Sequence, residues 1–250
     1  MKLDEWVETV WNVIPVRRKT LQAYRNLYKR QISPVVGQQE VDAIDTFALQ
    51  RKILGLPPQT ARHTVMVLKT IAREAVLYGI TKENFASKLK SPPIQETPKK
   101  FLTWEEVNEK DWGRYNEQVR FLALHGLRWS EAVVLTEKDI HDGFVWINRT
   151  VNGNCKSKSS VRKVPYLGHF ATLPKSYKPL QLTANRHGVT VHSFRRTYAY
   201  LLKTKGIHVT TAQRLLGHSD PMLTLKVYTS VLDDEIDDVR SILANHLLNI

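Results

Sequence analysis

The chain has 250 residues, 42% of them hydrophobic, which is enough for a sizeable core and for two domains. Its single cysteine, Cys155, excludes an internal disulfide and a cysteine-based zinc site, and no apolar run approaches the roughly 18 residues of a membrane span. The N-terminus carries acids where a signal peptide would carry bases, and the formal net charge is +13, so we expect a soluble cytoplasmic protein with a negatively charged partner.

The segment before residue 91 is predicted to be helical, because apolar side chains recur there at the 3.6-residue spacing. The predicted helices are residues 4–14, 18–32, 40–54 and 60–79. One face of the last helix is apolar and predicts a core stripe, formed by Val65, Leu68, Ile71, Ala72 and Ala75. Another face carries Arg62, Lys69 and Arg73, which fits a helix laid along a phosphate backbone, although a plain solvated face explains it nearly as well.

Residues 91–100, SPPIQETPKK, hold three prolines and few apolar side chains, which is typical of an extended linker. We therefore predict a helical first domain at residues 1–92, a linker at 93–100 and a second domain at 101–250.

The second domain is predicted to be mostly helical with one small antiparallel β-sheet. Residues 116–135 predict two helices that meet at Gly126, and residues 144–151 and 160–167 alternate apolar and polar side chains as a β-hairpin does. Further helices are expected at 192–205, after a capping box of Thr210 and Gln213, after Asp220, and at 233–250. The fold class is thus mainly α with a small antiparallel sheet.

Positive charge is concentrated in two regions. Residues 143–218 contain thirteen Lys and Arg but no Asp or Glu, and residues 51–100 contain ten Lys and Arg against three Glu. A surface usually mixes both signs, so an acid-free block indicates a partner that supplies the negative charge, and nucleic acid is the obvious candidate. The alternative is a generally basic, solvated surface.

Two arginines in the second domain are suited to holding a phosphate. His192 and Arg195 share a helix face at i and i+3, whereas Arg196 points about 100° away. The fork of Arg195 can hold two non-bridging phosphate oxygens, and Arg128 could supply a second fork. Because the sequence offers no convincing carboxylate cluster, we expect a reaction without metal or other cofactor.

Tyr228 is the candidate nucleophile, although its ordinary pKa of about 10 requires a nearby base and positive charge for reactivity. Tyr198 and Tyr200 are rival tyrosines, but they lie in a helix where packing explains them better. Lys156 is a plausible general acid for a leaving alkoxide, because neighbouring cations favour proton release, and Lys158 is its close competitor.

In these residues the chain resembles the tyrosine recombinase, or phage integrase, family. Gly126-Leu127-Arg128 followed by Ser130-Glu131 matches the family's first box, and Lys156 in KSKSSVRKVP matches the lysine of its hairpin. The remaining matches are His192 and Arg195, the Leu216-Gly217-His218 box, and the nucleophile Tyr228. The matches cover residues 101–250 in order and extend more weakly to the first domain.

The resemblance implies a helical core-binding domain joined to an α+β catalytic domain that cuts and rejoins double-stranded DNA through a 3′-phosphotyrosyl intermediate. It implies a catalytic role for His218. Glu131 either orients Arg128 by an ion pair or simply faces solvent. The basic residues that we expect to contact DNA are Arg62, Lys69, Arg73, Lys158, Arg162, Lys163 and Arg196.

The resemblance further implies that the two domains clamp the duplex and that a homotetramer assembles on paired sites. The apolar stripe of helix 233–250 would dock into the protein's own domain or into a neighbour. The arm-binding domain of many phage integrases is expected to be absent. The alternatives are a type IB topoisomerase-like enzyme and a catalytically silent DNA-binding protein.

Overall fold

The computed structural model describes residues 1–95, 100–155, 157–222 and 224–225, with the backbone alone at Lys158. The chain divides into two compact units, Met1–Thr97 and Pro98–Ile250. Each unit packs around its own apolar core. Within the described ranges, no helix combines the length and apolarity that crossing a membrane would need.

The first unit is helical. Its helices are α1 (Leu3–Val10), α2 (Arg18–Leu27), α3 (Ser33–Val36), α4 (Thr46–Leu54) and α5 (Pro58–Leu77), with a π-helical turn at Tyr28–Ile32. Helix α5 contacts α1, α2 and α4, and its predicted core stripe from Val65 to Ala75 is buried. The indole of Trp6 on α1 donates a hydrogen bond to the Ile71 carbonyl at 3.3 Å, which ties α1 to the middle of α5.

The helix predicted at residues 40–54 is wrong in its first third. A 3₁₀ turn at Val41–Ala43 comes first, and α4 begins only after Asp45. The Asp45 side chain accepts a hydrogen bond from the Ala48 backbone at 2.8 Å and so caps the helix. The apolar spacing runs across this break, which is why periodicity alone predicted one continuous helix.

The second unit is mainly helical with a small sheet, which confirms the predicted fold class. Its helices are α6 (Trp104–Glu109), α7 (Asn116–His125), α8 (Trp129–Ala132), α9 (Tyr177–Arg186), α10 (Val191–Thr204) and α11 (Val209–Leu216). Helices α7 and α10 pack together, with Phe121 and Phe194 buried in the core. The two predicted helices around Gly126 correspond to α7 and α8.

Five short strands form two small antiparallel sheets in the described part of the second unit. They are β1 (Ile140–His141), β2 (Phe144–Ile147), β3 (Arg149–Thr150), β4 (Gly153–Asn154) and β5 (Arg162–Pro165). The order β1-β2-β5 forms one sheet, with Val145 opposite Val164, and β3 pairs with β4. The predicted hairpin is therefore present, but its first strand is interrupted before Arg149.

The predicted capping box of Thr210 and Gln213 is wrong. Helix α11 begins at Val209, and the ring of His208 accepts a hydrogen bond from the Thr210 backbone at 3.3 Å. The predicted cap at Asp220 is present, since its carboxylate accepts from the Met222 backbone at 2.9 Å. The helix predicted at residues 233–250 lies outside the described residues.

Candidate active site and nucleic-acid interface

Two glycines in the left-handed conformation end the helices that precede the site. Gly126 (φ 60°) ends α7 and Gly217 (φ 63°) ends α11. A Cβ at Gly126 would collide with the ring of Tyr198, and a Cβ at Gly217 would lie 2.9 Å from the Ser159 carbonyl oxygen. Only glycine fits both the backbone angle and the space, so both turns are fixed by the sequence.

Three arginines from separate parts of the chain converge on the C-terminal end of α11. Arg162 Nε donates to the Leu215 carbonyl at 2.6 Å, and Arg128 Nη2 donates to the Gly217 carbonyl at 3.2 Å. Arg195 Nη2 donates to the carbonyl between them, that of Leu216. Unpaired carbonyls give a helix C-terminus partial negative charge, which favours cations there. The predicted phosphate-binding pair, Arg128 and Arg195, is thereby brought together.

Glu131 supplies the negative charge at the centre of this cluster. Its carboxylate is 1% exposed and accepts from Arg128 Nη1 at 2.6 Å and from Arg162 Nη2 at 2.9 Å, while Arg195 Nη1 lies 3.9 Å away. Burial alone would raise the pKa of Glu131, but the hydrogen bond and charge of Arg162 and the charge of Arg128 outweigh it and bring the pKa to about 2. Of the two readings of Glu131, the structure favours the orienting ion pair.

Arg162 occupies a different position from the DNA contact expected of it. Its side chain is only 5% exposed, and its donors are directed to Glu131 and to the carbonyls of Ser160 and Leu215. A guanidinium committed to buried acceptors does not face a phosphate backbone in solvent. The contacts of Arg162 in the described structure are thus internal ones, and the DNA contact expected from the sequence stays a prediction.

Arg195 is the most enclosed of the three arginines. Its side chain is 2% exposed, Nη1 donates to the Gly126 carbonyl at 2.7 Å, and Nε has no hydrogen-bond partner among the described residues. Burial lowers the pKa of Arg195, repulsion by Arg128 and Arg162 lowers it further, and Glu131 raises it. The cluster thus holds more positive than negative charge and would be stabilised by an added anion.

His218 directly follows the Gly217 turn. Its Nδ1 is 2.8 Å from the hydroxyl of buried Thr224. Burial, followed by the charges of Arg195, Arg128 and His192, lowers the pKa of His218 to about 3. The ring of His218 is therefore neutral near pH 7. His192, exposed on the first turn of α10, is close enough for its charge to contribute to the lowered pKa of His218.

The other predicted site residues are divided between described and undescribed parts of the chain. Lys163 Nζ lies 4.2 Å from the ring centre of Phe144, a cation–π contact, and Arg196 is half-buried, which lowers its pKa. Lys156 and Tyr228 lie outside the described residues, as does the side chain of Lys158.

Sequence reasoning missed the site residue Thr224, and it did not predict that the side chain of Arg162 faces inward. The contact of Thr224 with His218 spans six residues across a turn and carries no periodic signal. For Arg162 a signal was present in the sequence. Arg162 stands two residues before the buried Val164 in the same strand, and residues two apart in a strand lie on the same face.

The basic face of α5 lines a groove in the first unit. Arg62, Lys69 and Arg73 share this groove of about 500 Å³ with Met66 of the same helix and with Asn84, Ser87 and Ser91 of the following segment. Arg73 also pairs with Glu74 at 2.9 Å. Three cations among uncharged side chains match the needs of a surface that follows a nucleic-acid backbone.

Two curated relatives match the sequence, whereas no protein-family model does. A Pseudomonas phage Pf1 protein with the provisional name integrase is 25% identical over 197 residues, covering 71% of this chain and 59% of the relative. The tyrosine recombinase XerA of Saccharolobus solfataricus is 28% identical over 144 residues, covering 49% of this chain and 47% of the relative. The chain spans about half the length of these relatives.

Solved structures of similar fold include DNA complexes of integrases. The Tn1549 transposon integrase bound to a circular intermediate DNA covers 98% of this chain and 100% of its own, with a TM-score of 0.77 and 17% identity. A lambda integrase tetramer bound to a Holliday junction covers 91% of this chain and 77% of its own, with a TM-score of 0.73 and 17% identity. At this level of identity, the similarity to these structures shows a shared fold.

Proposed function

We propose that the chain is a tyrosine recombinase, a site-specific DNA recombinase that cuts and rejoins DNA through a 3′-phosphotyrosyl intermediate. Its similarity to the Pf1 and XerA proteins and its integrase-like fold support this proposal. One observation carries the proposal: Arg128 and Arg195 meet at the end of α11 beside the buried carboxylate of Glu131, and His218 directly follows this end of the helix. Such a cluster is built to receive the charge of a phosphate.

Arg128 and Arg195 stabilise the pentacoordinate phosphorus. Their guanidinium groups have five N–H donors each, and only part of these donors is directed to Glu131 and to backbone carbonyls. Arg128, with 34% of its side chain exposed, is the one positioned to meet the phosphate first. Because the site holds excess positive charge, its stabilisation grows as negative charge develops on the non-bridging oxygens.

His218 serves as a neutral imidazole beside the reacting oxygens, together with the imidazole of His192. The contact of His218 Nδ1 with Thr224 leaves Nε2 as the nitrogen for the substrate. Thr224 and Tyr228 are four residues apart, so the helix that the sequence predicts after Asp220 would carry both side chains on one face. This supports Tyr228 as the nucleophile: its hydroxyl passes its proton to the imidazole of His192, the base, as its oxygen attacks the phosphorus.

Lys156, with Lys158 as its competitor, donates a proton to the leaving 5′ oxygen as the P–O5′ bond breaks. Both lie in a stretch of the chain that joins β4 to β5, and β5 carries Arg162 into the cluster. The freed 5′-hydroxyl of a partner strand then attacks the phosphotyrosine, which restores the tyrosine and rejoins the DNA. No cofactor is consumed because the phosphotyrosyl bond conserves the energy of the phosphodiester.

The division of labour follows the two units. Residues 1–92 bind DNA through Arg62, Lys69 and Arg73 of the α5 groove, residues 93–100 link, and residues 101–250 perform catalysis with DNA contacts from Lys158, Lys163 and Arg196. The active form is a tetramer on paired sites, assembled through residues 233–250. The lambda integrase tetramer on a Holliday junction supports this assembly by its similar fold.

A nicked suicide duplex carrying the protein's own site tests the nucleophile. The wild-type chain should form a covalent adduct that survives denaturing gel electrophoresis, and Tyr228→Phe should form none, because the phenyl ring has no hydroxyl to attack phosphorus. Tyr200→Phe is the matched control and should react like the wild type. Adduct from Tyr228→Phe, or none from Tyr200→Phe, would show that the nucleophile is misassigned.

A further inference from the structure

We propose that Arg162 is a positioning residue that holds Arg128 and Arg195 in register through Glu131 and the end of α11. The proposal rests on the proposed recombinase function and assigns Arg162 no contact with DNA. It differs from the surface role that the residue's place in a basic stretch suggested.

The first step is that Arg162 controls the orientation of Glu131. Its two terminal nitrogens lie 3.2 Å from Glu131 Oε1 and 2.9 Å from Oε2, so the fork grips both carboxylate oxygens. Oε1 is the same oxygen that receives Arg128 at 2.6 Å. A bidentate grip fixes the plane of the carboxylate, and with it the direction from which Arg128 can donate.

The second step is that Arg162 also controls the end of α11. Its Nε donates to the Leu215 carbonyl at 2.6 Å, and its Cδ lies 3.0 Å from where a Cβ of Gly217 would stand. The next two carbonyls, of Leu216 and Gly217, receive Arg195 and Arg128. A shift of Arg162 would therefore move the acceptors of both phosphate-binding arginines at once.

The third step is one of charge. With Arg162 present, the carboxylate of Glu131 is shared between Arg162 and Arg128. The negative charge of Glu131 therefore does not fully neutralise Arg128. The remaining charge of Arg128 is available to an incoming phosphate. Positioning of this kind affects the chemical step, since an error of about 1 Å in a reacting group can cost on the order of 100-fold in rate.

The test compares Arg162→Lys with wild type in single-turnover adduct formation at saturating DNA. A lysine keeps the charge but cannot bridge both oxygens of Glu131 and the Leu215 carbonyl, so the rate should fall roughly 10- to 100-fold. DNA affinity and the slope of its salt dependence are measured with Arg162→Gln, which removes the charge that a lysine keeps. Both should match wild type, whereas the loss of a direct phosphate contact would lower that slope by about 1.

The matched control is Arg149→Lys. Arg149 grips Asp139 with both terminal nitrogens at 2.7 Å and also donates to the Val134 carbonyl at 3.0 Å, yet it has no contact with Glu131 in the structure described. Its substitution removes a similar set of hydrogen bonds from the same unit. The adduct rate of Arg149→Lys should equal that of wild type below the melting temperature.

A scissile methylphosphonate separates positioning from simple loss of structure. A methyl group in place of one non-bridging oxygen removes the charge that the arginines stabilise, so the defect of Arg162→Lys relative to wild type should shrink severalfold on this substrate. Glu131→Gln should reproduce the defect, and the double variant should be no slower than the slower single variant.

Three results would overturn the inference: a wild-type rate for Arg162→Lys and Glu131→Gln, an equal defect on both substrates, or a reduced salt slope. If Arg162→Lys does not fold, Glu131→Gln decides by the same comparisons. A wild-type chain that forms no adduct would overturn the proposed function together with the inference, whereas wild-type adduct with an unimpaired Arg162→Lys overturns the inference alone.

Discussion

Gly217 shows how one residue can fix both a backbone turn and a side chain next to it. It ends α11 at φ 63°, and a Cβ would approach the Ser159 carbonyl and Arg162 Cδ at 2.9 and 3.0 Å. Gly188, also at positive φ (71°), has nothing within 4 Å of the corresponding position. The two glycines share a backbone requirement and differ in their surroundings.

We expect Gly217→Ala to be more damaging than Gly188→Ala. The left-handed conformation costs either alanine about 1 kcal/mol, and the clash at Gly217 adds roughly 1–3 kcal/mol and displaces Arg162. Urea unfolding and the adduct rate measure the two effects. Equal losses of stability, or an unchanged adduct rate in Gly217→Ala, would contradict this account.

At the residue scale the sequence predicted the members of the site better than their partners. The boxes identified Arg128, Arg195 and His218, and the structure brings these side chains to one place. That Glu131 is shared between arginines was not predictable, because Arg162 lies 31 residues further along and meets it only through the packing of β5.

At the element scale, α5 is the feature with a direct functional consequence. Its buried face holds the first unit together, and its basic face lines the groove. The two faces are about 120° apart on the helix, and the three cations are exposed, so their substitution leaves the core untouched.

Arg62→Ala and Lys69→Ala should each weaken DNA binding and lower the slope of log affinity against log salt by about 1, because under the proposed function each removes one phosphate contact. Binding measured between about 50 and 200 mM salt gives this slope. Lys2→Ala is the matched control from the same unit, since Lys2 is exposed and bonded to Gln38. A slope that Lys2→Ala changes and Arg62→Ala does not would place the interface elsewhere.

The elements that sequence reasoning missed have weak apolar patterns. Helix α9, Tyr177–Arg186, was not predicted, because it buries only Leu180 and Ala184 and contains Pro179. Proline is tolerated in the first turn of a helix, and Pro179 is the third residue of α9. A helix is therefore possible here although the sequence pattern did not predict one. Helices with a full buried stripe, such as α5 and α10, were predicted because burial itself produces the period.

At the scale of the whole molecule, several buried groups tie stability to pH. His125 is fully buried, donates from Nδ1 to the Phe121 carbonyl at 2.8 Å and accepts at Nε2 from the Leu167 backbone at 2.9 Å. Burial lowers the pKa of His125 to about 4, and the pKa of His218 is about 3. Both rings must be neutral in the folded chain.

Stability should therefore fall as pH drops from about 6.5 towards 4. In this pH range the histidines bind protons in the unfolded chain but not in the folded one. The lowered pKa of His125 alone corresponds to a loss of roughly 3 kcal/mol in the free energy of unfolding, at about 1.4 kcal/mol per pKa unit. Glu131 extends the loss from about pH 4.5 to 2, because its folded pKa is also depressed. Urea unfolding of the second unit at several pH values measures the decline.

The variant His125→Phe isolates one contribution. It should be less stable at pH 7, since two buried hydrogen bonds are lost, but its stability should depend less on pH between 6.5 and 4. His63→Phe, at an exposed position of the first unit, is the control. Stability that rises on acidification from pH 7 to 5 would show that the buried histidines do not govern this range.

Three arginines donate to consecutive carbonyls at the end of α11. This arrangement determines where the chain can accept insertions and deletions. Arg128, Arg162 and Arg195 are separated by long stretches of chain, and insertions in the connecting loops would leave their registration intact. A residue added or removed within α11 would rotate its last carbonyls by about 100° and detach all three together. Across divergent chains with this arrangement, we expect length to vary between the boxes and to stay constant through residues 215–218.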